Sequence, residues 1–393
     1  MPCQKHQLLS GTVFVHKRNN NLNKAFLMIT SILVLIMTSA IILMVLKLPV
    51  FGSLPAGERL SRILDAENYS EGTFENQSPT PMKPEGVSYF MIIKELLKKN
   101  KNGSPLFTLP TITPDFSKQG PETRIIWFGH SSYLIQTADL NILVDPVFSK
   151  TTSPFSFIGN TSYPGTDFIH PEDLPQIDIL LISHDHYDHL DYPSILKLKS
   201  KTKLFITSIG VGAHLERWGV AKEKIKELVW HEKFRYNEEV NFIALPARHF
   251  GGRLLKRNKS LWSSFILETA DEKIYLGGDS GYDAHFSTIG NEHGPFDLAI
   301  LECGQYDKYW PYIHMFPEQT VQAAIDLKAK VLLPVHWGKF TLAKHDWNEP
   351  IERLLAASEK KGLQVTTPIL GESIRLQEYY PASRWWRTNP SRT

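Results

Sequence analysis

The chain has 393 residues, of which 42% are hydrophobic, and a formal net charge of +2. This length allows one large domain with appendages, and this share of hydrophobic residues suffices for a buried core. A charge so close to neutral gives no indication of nucleic-acid binding. The two cysteines, Cys3 and Cys303, lie on opposite sides of a hydrophobic stretch and imply no disulfide framework.

The hydrophobic stretch, residues 25–46, is uncharged and almost entirely aliphatic. As a helix it would be about 33 Å long, enough to cross the hydrocarbon core of a bilayer. It is longer than the apolar part of a secretory signal peptide and has no convincing cleavage site, so we expect an uncleaved single-pass anchor after a tail of residues 1–24. The excess of Lys and Arg before it is one charge, which favours a cytoplasmic N-terminus and an extracytoplasmic location for the rest of the chain.

Residues 47–86 are predicted to form a juxtamembrane arm, because three prolines stand among small polar residues between 71 and 86. Such a segment would be extended and would lie over the following domain or act as a spacer. The domain itself is expected to span residues 87–393. It opens with a helix near 88–99, where apolar residues recur on one face.

From Arg124 onwards the chain is rich in strands. Segments 125–128, 133–137 and 141–145 form a plausible meander, and helical stretches at 210–218 and 317–329 then alternate with strands at 227–230 and 330–335. The run of lysines between 197 and 203 is interpreted as a solvated helix end and loop.

The most informative stretch is Ser183–Leu190, which holds three histidines and two aspartates. It follows Ile177–Ile182, an aliphatic run that is short enough to be a buried strand. His184 and His186 can therefore face one metal from the loop at the end of that strand, while Asp188 and His189 turn toward a second. Imidazole and carboxylate at this density suit Zn²⁺ or a similar first-row ion.

Three later strands end in the same way. The apolar segments 240–246, 273–278 and 330–335 run into His249, Asp279 and His336, respectively. One histidine after a strand is more often structural than a metal ligand. Three such residues after an HxHxDH motif reverse that expectation, since together they complete two coordination spheres.

With these motifs the chain resembles the metallo-β-lactamase superfamily, and more closely its branch of N-acyl-phosphatidylethanolamine-hydrolysing phospholipases D, including bacterial membrane-anchored members. The branch motifs are similar to Trp127–Ser132, Pro246–His249, Gly277–Tyr282 and Pro334–Gly338. The resemblance covers about residues 85–380. It implies an α/β fold, the αββα sandwich, whose metal ligands gather along the edge where two sheets meet.

The resemblance also implies roles for the ligands. His184, His186 and His249 would bind one zinc ion, Asp188, His189 and His336 a second, and Asp279 would bridge the two; iron or manganese are alternatives. Two ions this close would share a water and lower its pKa, so that hydroxide attacks a phosphorus or carbonyl carbon. We expect Asp188 and Asp279 to take part in this catalysis.

Further residues are expected to support the metals or the substrate. Asp145 and His130 are candidates for holding the metal ligands in place. In the aromatic loop 306–314, Tyr306 and Trp310 would line the substrate pocket, unless they pack the rim of the core. His314 would contact the phosphate or protonate the leaving oxygen.

Two charged residues close to the ligands carry separate expectations. Arg248 stands where the animal enzymes of this branch carry glutamine, and it could bind a second anionic group of the substrate. Asp185 lies between two ligand histidines but completes neither coordination sphere, and we expect it to be solvated or to relay protons.

The leading hypothesis is a membrane-anchored dinuclear zinc phosphodiesterase that acts on glycerophospholipids or other phosphodiesters, with its catalytic domain outside the cytoplasm. A lactonase or another carbonyl hydrolase of the same superfamily would carry almost the same ligands. A non-catalytic membrane receptor is a third reading, but a binding module would be free to lose ligands. The pattern leaves the oligomeric state open, a dimer included.

Overall fold

A computed structural model describes residues 10–98, 100–117, 122–137, 139–253 and 256–387. The first nine residues of the predicted tail, with Cys3, and the last six of the predicted domain lie outside these ranges. The chain divides into two compact units, one up to Phe51 and the other from Gly52 onwards. The predicted boundaries at residues 24, 46 and 86 stay predictions.

The first unit consists of a long helix, α1 (Ser10–Leu46), and a short 3₁₀ helix, Pro49–Phe51. Within α1, residues Asn23–Leu46 are long and apolar enough to cross a membrane. Their aliphatic side chains face outwards: Phe26 is 71% exposed and Met44 is 72% exposed. Within this span no described residue is buried.

The second unit contains the remaining elements. Its helices are α2 (Gly57–Leu64), α3 (Tyr89–Leu96), α4 (Tyr192–Leu198), α5 (Gly212–Arg217), α6 (His285–Glu292), α7 (Pro317–Asp326) and α8 (Glu349–Lys361), with 3₁₀ helices at Lys222–Lys224 and Trp385–Arg387. Its strands are β1 (Tyr69–Ser70), β2 (Thr73–Phe74), β3 (Arg124–Trp127), β4 (Tyr133–Thr137), β5 (Leu140–Val144), β6 (Ile177–Ile182), β7 (Thr202–Ser208), β8 (Ile225–Leu228), β9 (Lys233–Arg235), β10 (Asn241–Leu245), β11 (Gly252–Arg253), β12 (Lys256–Arg257), β13 (Ser264–Glu268), β14 (Lys273–Leu276), β15 (Phe296–Glu302), β16 (Ala329–Val335), β17 (Gln364–Val365) and β18 (Ser373–Arg375).

Two seven-stranded mixed sheets form the body of this unit. The N-terminal sheet has the order β18-β3-β4-β5-β6-β7-β8, and the C-terminal sheet has the order β17-β16-β15-β14-β13-β10-β9. In each sheet an antiparallel half continues into a parallel half: β5 to β8 are parallel, and so are β14 to β17. The pairs β1-β2 and β11-β12 are small separate ribbons.

Alternation along the strands explains how the layers pack. In β6, Ile179 and Leu181 join a core shared with strands of the C-terminal sheet, while Leu180 and Ile182 belong to a second core on the opposite face. That second core includes Leu198 of α4 among its helical members. Successive side chains of a strand point to opposite faces, so a strand with apolar side chains on both faces is buried on both sides.

Helices cover the outer face of the C-terminal sheet as well, with residues of α7 and α8 in the same large core as β15 and β16. The result is helix, sheet, sheet, helix, and the predicted αββα sandwich is confirmed.

Most predicted strands are present within one or two residues of their expected bounds, and β6 matches at both ends. Strand β13 is absent from the sequence-based prediction, and so is the central strand β7. Its first residues, Thr202 and Lys203, continue the lysine-rich run that was interpreted as a helix end and loop. The apolar segment that follows, Leu204–Ile206, pairs in parallel with β6.

The double-sided burial of β6 leads to a stability prediction. Leu180→Ala should lower the free energy of unfolding by about 2–5 kcal/mol, because the methyl groups leave a cavity beneath the helical layer. Leu196→Ala, at an exposed leucine of α4 that is 38% accessible, serves as the control and should cost about 0.5 kcal/mol or less. Urea unfolding of both variants measures this, and equal losses would contradict the packing described.

Candidate metal centre

The candidate ligands lie where strands end at one edge of the sandwich. His184–His189 follow β6, His249 follows β10, Asp279 follows β14 and His336 follows β16. Strands β10 and β14 are both antiparallel to β13 and so run in the same direction. The carboxyl ends of these strands therefore deliver their side chains to a common site. Ser183 to Asp185, His189, His249, Asp279 and His336 are all buried.

One group of ligand atoms belongs to His184, His186 and His249. His186 Nδ1 lies 2.9 Å from His184 Nε2 and 3.2 Å from His249 Nε2. Two nitrogens bound to one tetrahedral zinc at its usual bond length would be about 3.4 Å apart. The three imidazoles thus converge at the separation that a shared metal ion needs.

A second group comprises Asp188, His189 and His336, with His130 beside them. His130 Nε2 lies 3.0 Å from Asp188 Oδ2, so it can fix the orientation of that carboxylate. His336 has a left-handed backbone, with φ of +66°, that turns its side chain inwards after β16. A histidine keeps such a conformation only where its surroundings hold it, at a cost of about 1–3 kcal/mol.

Asp279 lies between the two groups. Its Oδ2 is 3.9 Å from His184 Nε2, 3.8 Å from His249 Nε2 and 3.1 Å from His189 Nε2. Its Oδ1 is 3.2 Å from His336 Nδ1. A carboxylate that reaches ligands of both groups is placed as a bridging ligand would be.

The buried ligand atoms fit metal ions better than they fit one another. Among the described residues, Asp279 Oδ1, His189 Nε2 and His336 Nε2 are buried without a hydrogen-bond partner. Polar atoms are rarely left in this state, because each forfeits its hydration without compensation. Two divalent cations at these positions would satisfy them.

The titration of the histidines agrees with metal binding. Burial, followed by the neighbouring imidazoles, holds the pKa of His184 and His336 well below the usual value, and burial lowers the pKa of His186 to about 4. These rings are therefore neutral, which is the form that binds a metal. His189 differs: burial lowers its pKa, but Asp279 and two further carboxylates raise it by more.

The other ring nitrogens of the ligands are held by the protein. His189 Nδ1 lies 2.8 Å from Asp145 Oδ2, and Asp145 also accepts hydrogen bonds from the backbone N–H and the hydroxyl of Ser183. His249 Nδ1 lies 2.8 Å from the Ile313 carbonyl oxygen, and His336 Nδ1 lies 2.9 Å from Ser131 Oγ. Such contacts fix the tautomer and orientation of each ring.

A cavity of about 440 Å³ adjoins the ligands. One part of its wall carries polar ligand side chains, and the remainder is largely apolar or aromatic. The polar wall residues are His186, Asp188, His249, Asp279, His314 and His336, and the apolar ones are Met82, Tyr89, Ile92, Phe250, Trp310, Ile313 and Leu342; Gln305, Tyr309 and Arg257 complete the lining.

Two of the predicted substrate residues, Trp310 and His314, line this cavity, whereas Tyr306 and Arg248 do not. Tyr306 is buried, and its hydroxyl donates to Glu349 at 2.8 Å, so it packs the rim of the core. Arg248 donates to the Pro79 carbonyl and the Thr80 hydroxyl. These contacts hold its guanidinium away from this cavity.

The expectation that Asp185 is solvated is wrong. Asp185 is 2% exposed and accepts hydrogen bonds from Ser260 Oγ and the Gly252 N–H, both at 2.6 Å. Asp185 Oδ2, the oxygen that accepts from Ser260, also lies 3.2 Å from His214 Nε2. The carboxylate therefore ties together the loops behind the ligands, a set of long-range contacts that its sequence neighbours do not reveal.

Glu302 was missed by the sequence analysis. It is fully buried at the end of β15, and its Oε2 lies 2.8 Å from His314 Nδ1 while Oε1 accepts the Ser280 N–H. Burial raises its pKa well above the usual range. The signal was available, because the apolar run 298–301 leads directly into a carboxylate, and β14 is likewise followed by Asp279.

The contact between Asp145 and His189 leads to a metal-binding prediction. Asp145→Asn should lower metal affinity about 10–100-fold, since the amide cannot replace the carboxylate toward both Ser183 and the ring of His189. Asp178→Asn is the matched control, because Asp178 lies in the same sheet and accepts the Asn141 N–H away from the ligands. Zinc titration against a chelator measures both, and equal affinities would contradict the role of Asp145.

Comparisons with known proteins agree with this geometry. The family model of the beta-lactamase superfamily domain matches residues 140–337. An uncharacterized protein of Mycobacterium tuberculosis is 38% identical over 81% of this chain and 87% of its own length. N-acyl-phosphatidylethanolamine-hydrolyzing phospholipase D 1 of Caenorhabditis elegans is 30% identical over 67% of this chain and 80% of its own length.

Among solved structures, the isothiocyanate hydrolase from Delia radicum gut bacteria superposes with a TM-score of 0.52. It is 17% identical and covers 65% of this chain and 100% of its own, which is a likeness of fold. The matched family model, the extent of the relatives and the convergence of ligands at one sheet edge together identify the chain as a member of the metallo-β-lactamase superfamily of metal-dependent hydrolases.

Proposed function

We propose that this protein is a membrane-anchored dinuclear zinc phosphodiesterase of the phospholipase D type, which acts on glycerophospholipids, N-acylated ones included. The observation that carries the proposal is the cavity, in which metal ligands meet an apolar wall. A lipid phosphodiester has the same two parts, a phosphate beside long acyl chains. A relative named for hydrolysing N-acyl-phosphatidylethanolamine supports the same substrate class.

Helix α3 supports access from a lipid surface. Tyr89 and Ile92 of this helix line the cavity, while Phe90 is 75% exposed and Leu97, just after the helix, is 81% exposed. Apolar side chains in water at a cavity mouth are typical of interaction sites for apolar partners. On a bilayer they would sink into the interface and bring the cavity against the lipids.

Lysines around α3 favour a lipid surface as well. Lys94 lies within the helix, and Lys308 and Lys344 are close enough to act electrostatically on Glu95. Cations beside an exposed apolar face suit phospholipid phosphates. With residues 23–46 as a single-pass anchor, the enzyme and its lipid substrate would be held at the same membrane. The charge distribution around the anchor favours the extracytoplasmic side.

The ligand chemistry favours zinc, since nitrogen and carboxylate ligands at these separations suit it; iron or manganese would also be accepted by such a set. Two divalent ions bound there would lower the pKa of a shared water and neutralise the charge that develops on the phosphate. Asp279 would hold the two ligand groups at a fixed separation, and His130 would orient Asp188.

His314 is suited to protonate the leaving alcohol oxygen. Burial raises the pKa of Glu302 and lowers the pKa of His314, so the pair is neutral and the carboxyl O–H of Glu302 donates a hydrogen bond to Nδ1. The proton of the imidazole then stands on Nε2, the nitrogen left for the cavity. If the Nε2 proton passed to the departing oxygen while the Glu302 proton passed to Nδ1, the imidazole would stay neutral and Glu302 would become a carboxylate. The products would be phosphatidic acid and a free headgroup alcohol.

Removal of a ligand tests the assignment. His184→Ala and Asp279→Ala should each lower hydrolysis of N-acyl-phosphatidylethanolamine vesicles and of bis(p-nitrophenyl) phosphate by about tenfold or more, because each leaves a coordination sphere incomplete. His170→Ala, at an exposed histidine 55% accessible, is the control. Circular dichroism checks the fold, and unchanged turnover would refute the metal assignment.

A panel of lactones assayed with the wild-type protein distinguishes the carbonyl-hydrolase alternative. Hydrolysis of lactones without hydrolysis of phosphodiesters would contradict the proposed substrate class.

The role of α3 predicts a separation between two substrates. Phe90→Asp and Leu97→Asp should lower turnover of phospholipid vesicles about tenfold, because a carboxylate opposes insertion into the interface. Turnover of soluble bis(p-nitrophenyl) phosphate should stay at the wild-type value. Leu196→Asp, on α4, controls for an added surface charge. An equal fall with both substrates would indicate damage to the site and contradict a lipid-facing role.

A further inference from the structure

The segment that follows the anchor makes contacts with the metal-binding loops, and we call residues 52–80 the strap. At its start, the Ser53 N–H donates to His214 Nδ1 at 3.0 Å. The opposite nitrogen of His214 lies 3.2 Å from Asp185, which stands between His184 and His186. At its end, Pro79 and Thr80 accept hydrogen bonds from Arg248, the residue before His249. The strap thus contacts the loop that supplies His249 directly, and it reaches the loop of His184 and His186 through His214.

The contact nearest to a ligand is made by Asn76. Its Oδ1 accepts the N–H of His249 at 3.0 Å, and its Nδ2 donates to the carbonyl oxygen of His249 at 2.7 Å. Trp262 Nε1 donates to the same Oδ1 at 3.0 Å and so fixes which end of the amide faces which backbone group. Asn76 therefore pairs with the backbone of one residue as a neighbouring strand would.

His249 needs such a partner because β10 ends at Leu245. Beyond that point no neighbouring strand pairs with the backbone. An unpaired buried backbone group costs about as much free energy as a lost hydrogen bond. The ring is fixed separately, with Nδ1 against the Ile313 carbonyl and Nε2 3.2 Å from His186 Nδ1. Asn76 sets where the backbone stands, and Ile313 sets how the ring is turned.

We propose that Asn76 is a positioning residue of the first metal site, so that the strap is part of the metal centre and not a spacer between anchor and enzyme. The inference rests on His249 being a metal ligand, as the proposed function has it. Without the amide, His249 would still reach the site but would have to be ordered by the metal itself. The cost of that ordering should appear as weaker metal binding at one of two sites.

A role in stability alone would give a different result. If Asn76 only fastens the strap, its loss should lower the unfolding temperature of the metal-free protein and leave metal affinity unchanged. Asn68 offers a matched control within the strap, because its Nδ2 donates to the Glu75 carbonyl at 3.4 Å and contacts no ligand.

The experiment uses the full chain in detergent, stripped of metal and titrated with Zn²⁺ against a chromophoric chelator, with Co²⁺ absorption as a second readout of ligand geometry. Asn76→Ala should weaken one of the two sites about 10–100-fold and alter the Co²⁺ spectrum, while Asn68→Ala should match the wild type. Asn76→Asp should fall between them, because it still accepts both N–H groups but cannot donate to the His249 carbonyl.

Unchanged Zn²⁺ affinity in Asn76→Ala, with a lower unfolding temperature, would overturn the inference and leave the proposed function intact. A wild-type chain that binds no Zn²⁺ would overturn both. The two failures are therefore distinguished by the wild-type titration.

Discussion

The constraint that the rest of the structure must meet is the burial of imidazoles and carboxylates together at one edge of the sandwich. His184, His189, Asp279 and His336 are each at most 4% exposed, and their polar atoms face one another. Charged and polar groups withdrawn from water destabilise a fold unless each finds a partner. Here the protein supplies partners on the outer side of the rings, as Asp145 does for His189 and Ser183 for His184. The inner atoms are those that we propose bind metal.

The sandwich gathers these polar groups at one edge. Strands that run parallel bring their carboxyl ends to one edge. Among the described strands, β15 ends there in Glu302, and β3, β5, β6, β14 and β16 are each followed within three residues by a histidine or a carboxylate. The same strands are apolar on both faces, since they lie between a facing sheet and a helical layer. Burial of the apolar strands thus offsets the free-energy cost of the buried polar edge. The groups that can do chemistry are the residues that end or follow the strands.

This relation explains which parts of the site could be predicted from sequence. A run such as Ile177–Ile182 is recognisable as a buried strand, and the residue after it is placed by chain connectivity alone. The same reasoning would have found Glu302. Contacts made across the fold have no local pattern: nothing near Asn76 or Asp185 in sequence indicates that one pairs with His249 and the other with His214.

Two further expectations from the sequence differ from the structure. The lysine run before β7 is typical of a loop, but the strand's position beside β6 in the sheet is set by tertiary pairing. Arg248 stands where the animal enzymes of the resembling branch carry glutamine, and it was expected to bind an anion. Its guanidinium instead donates hydrogen bonds to the strap. In both cases the decisive partner is distant along the chain.

Anomalous scattering at the zinc edge, from crystals of the zinc-loaded full chain, tests the account most directly. We predict two peaks about 3.5–4 Å apart, one contacted by His184, His186 and His249 and the other by Asp188, His189 and His336, with Asp279 contacting both. A single peak, or two peaks without Asp279 between them, would contradict a dinuclear centre.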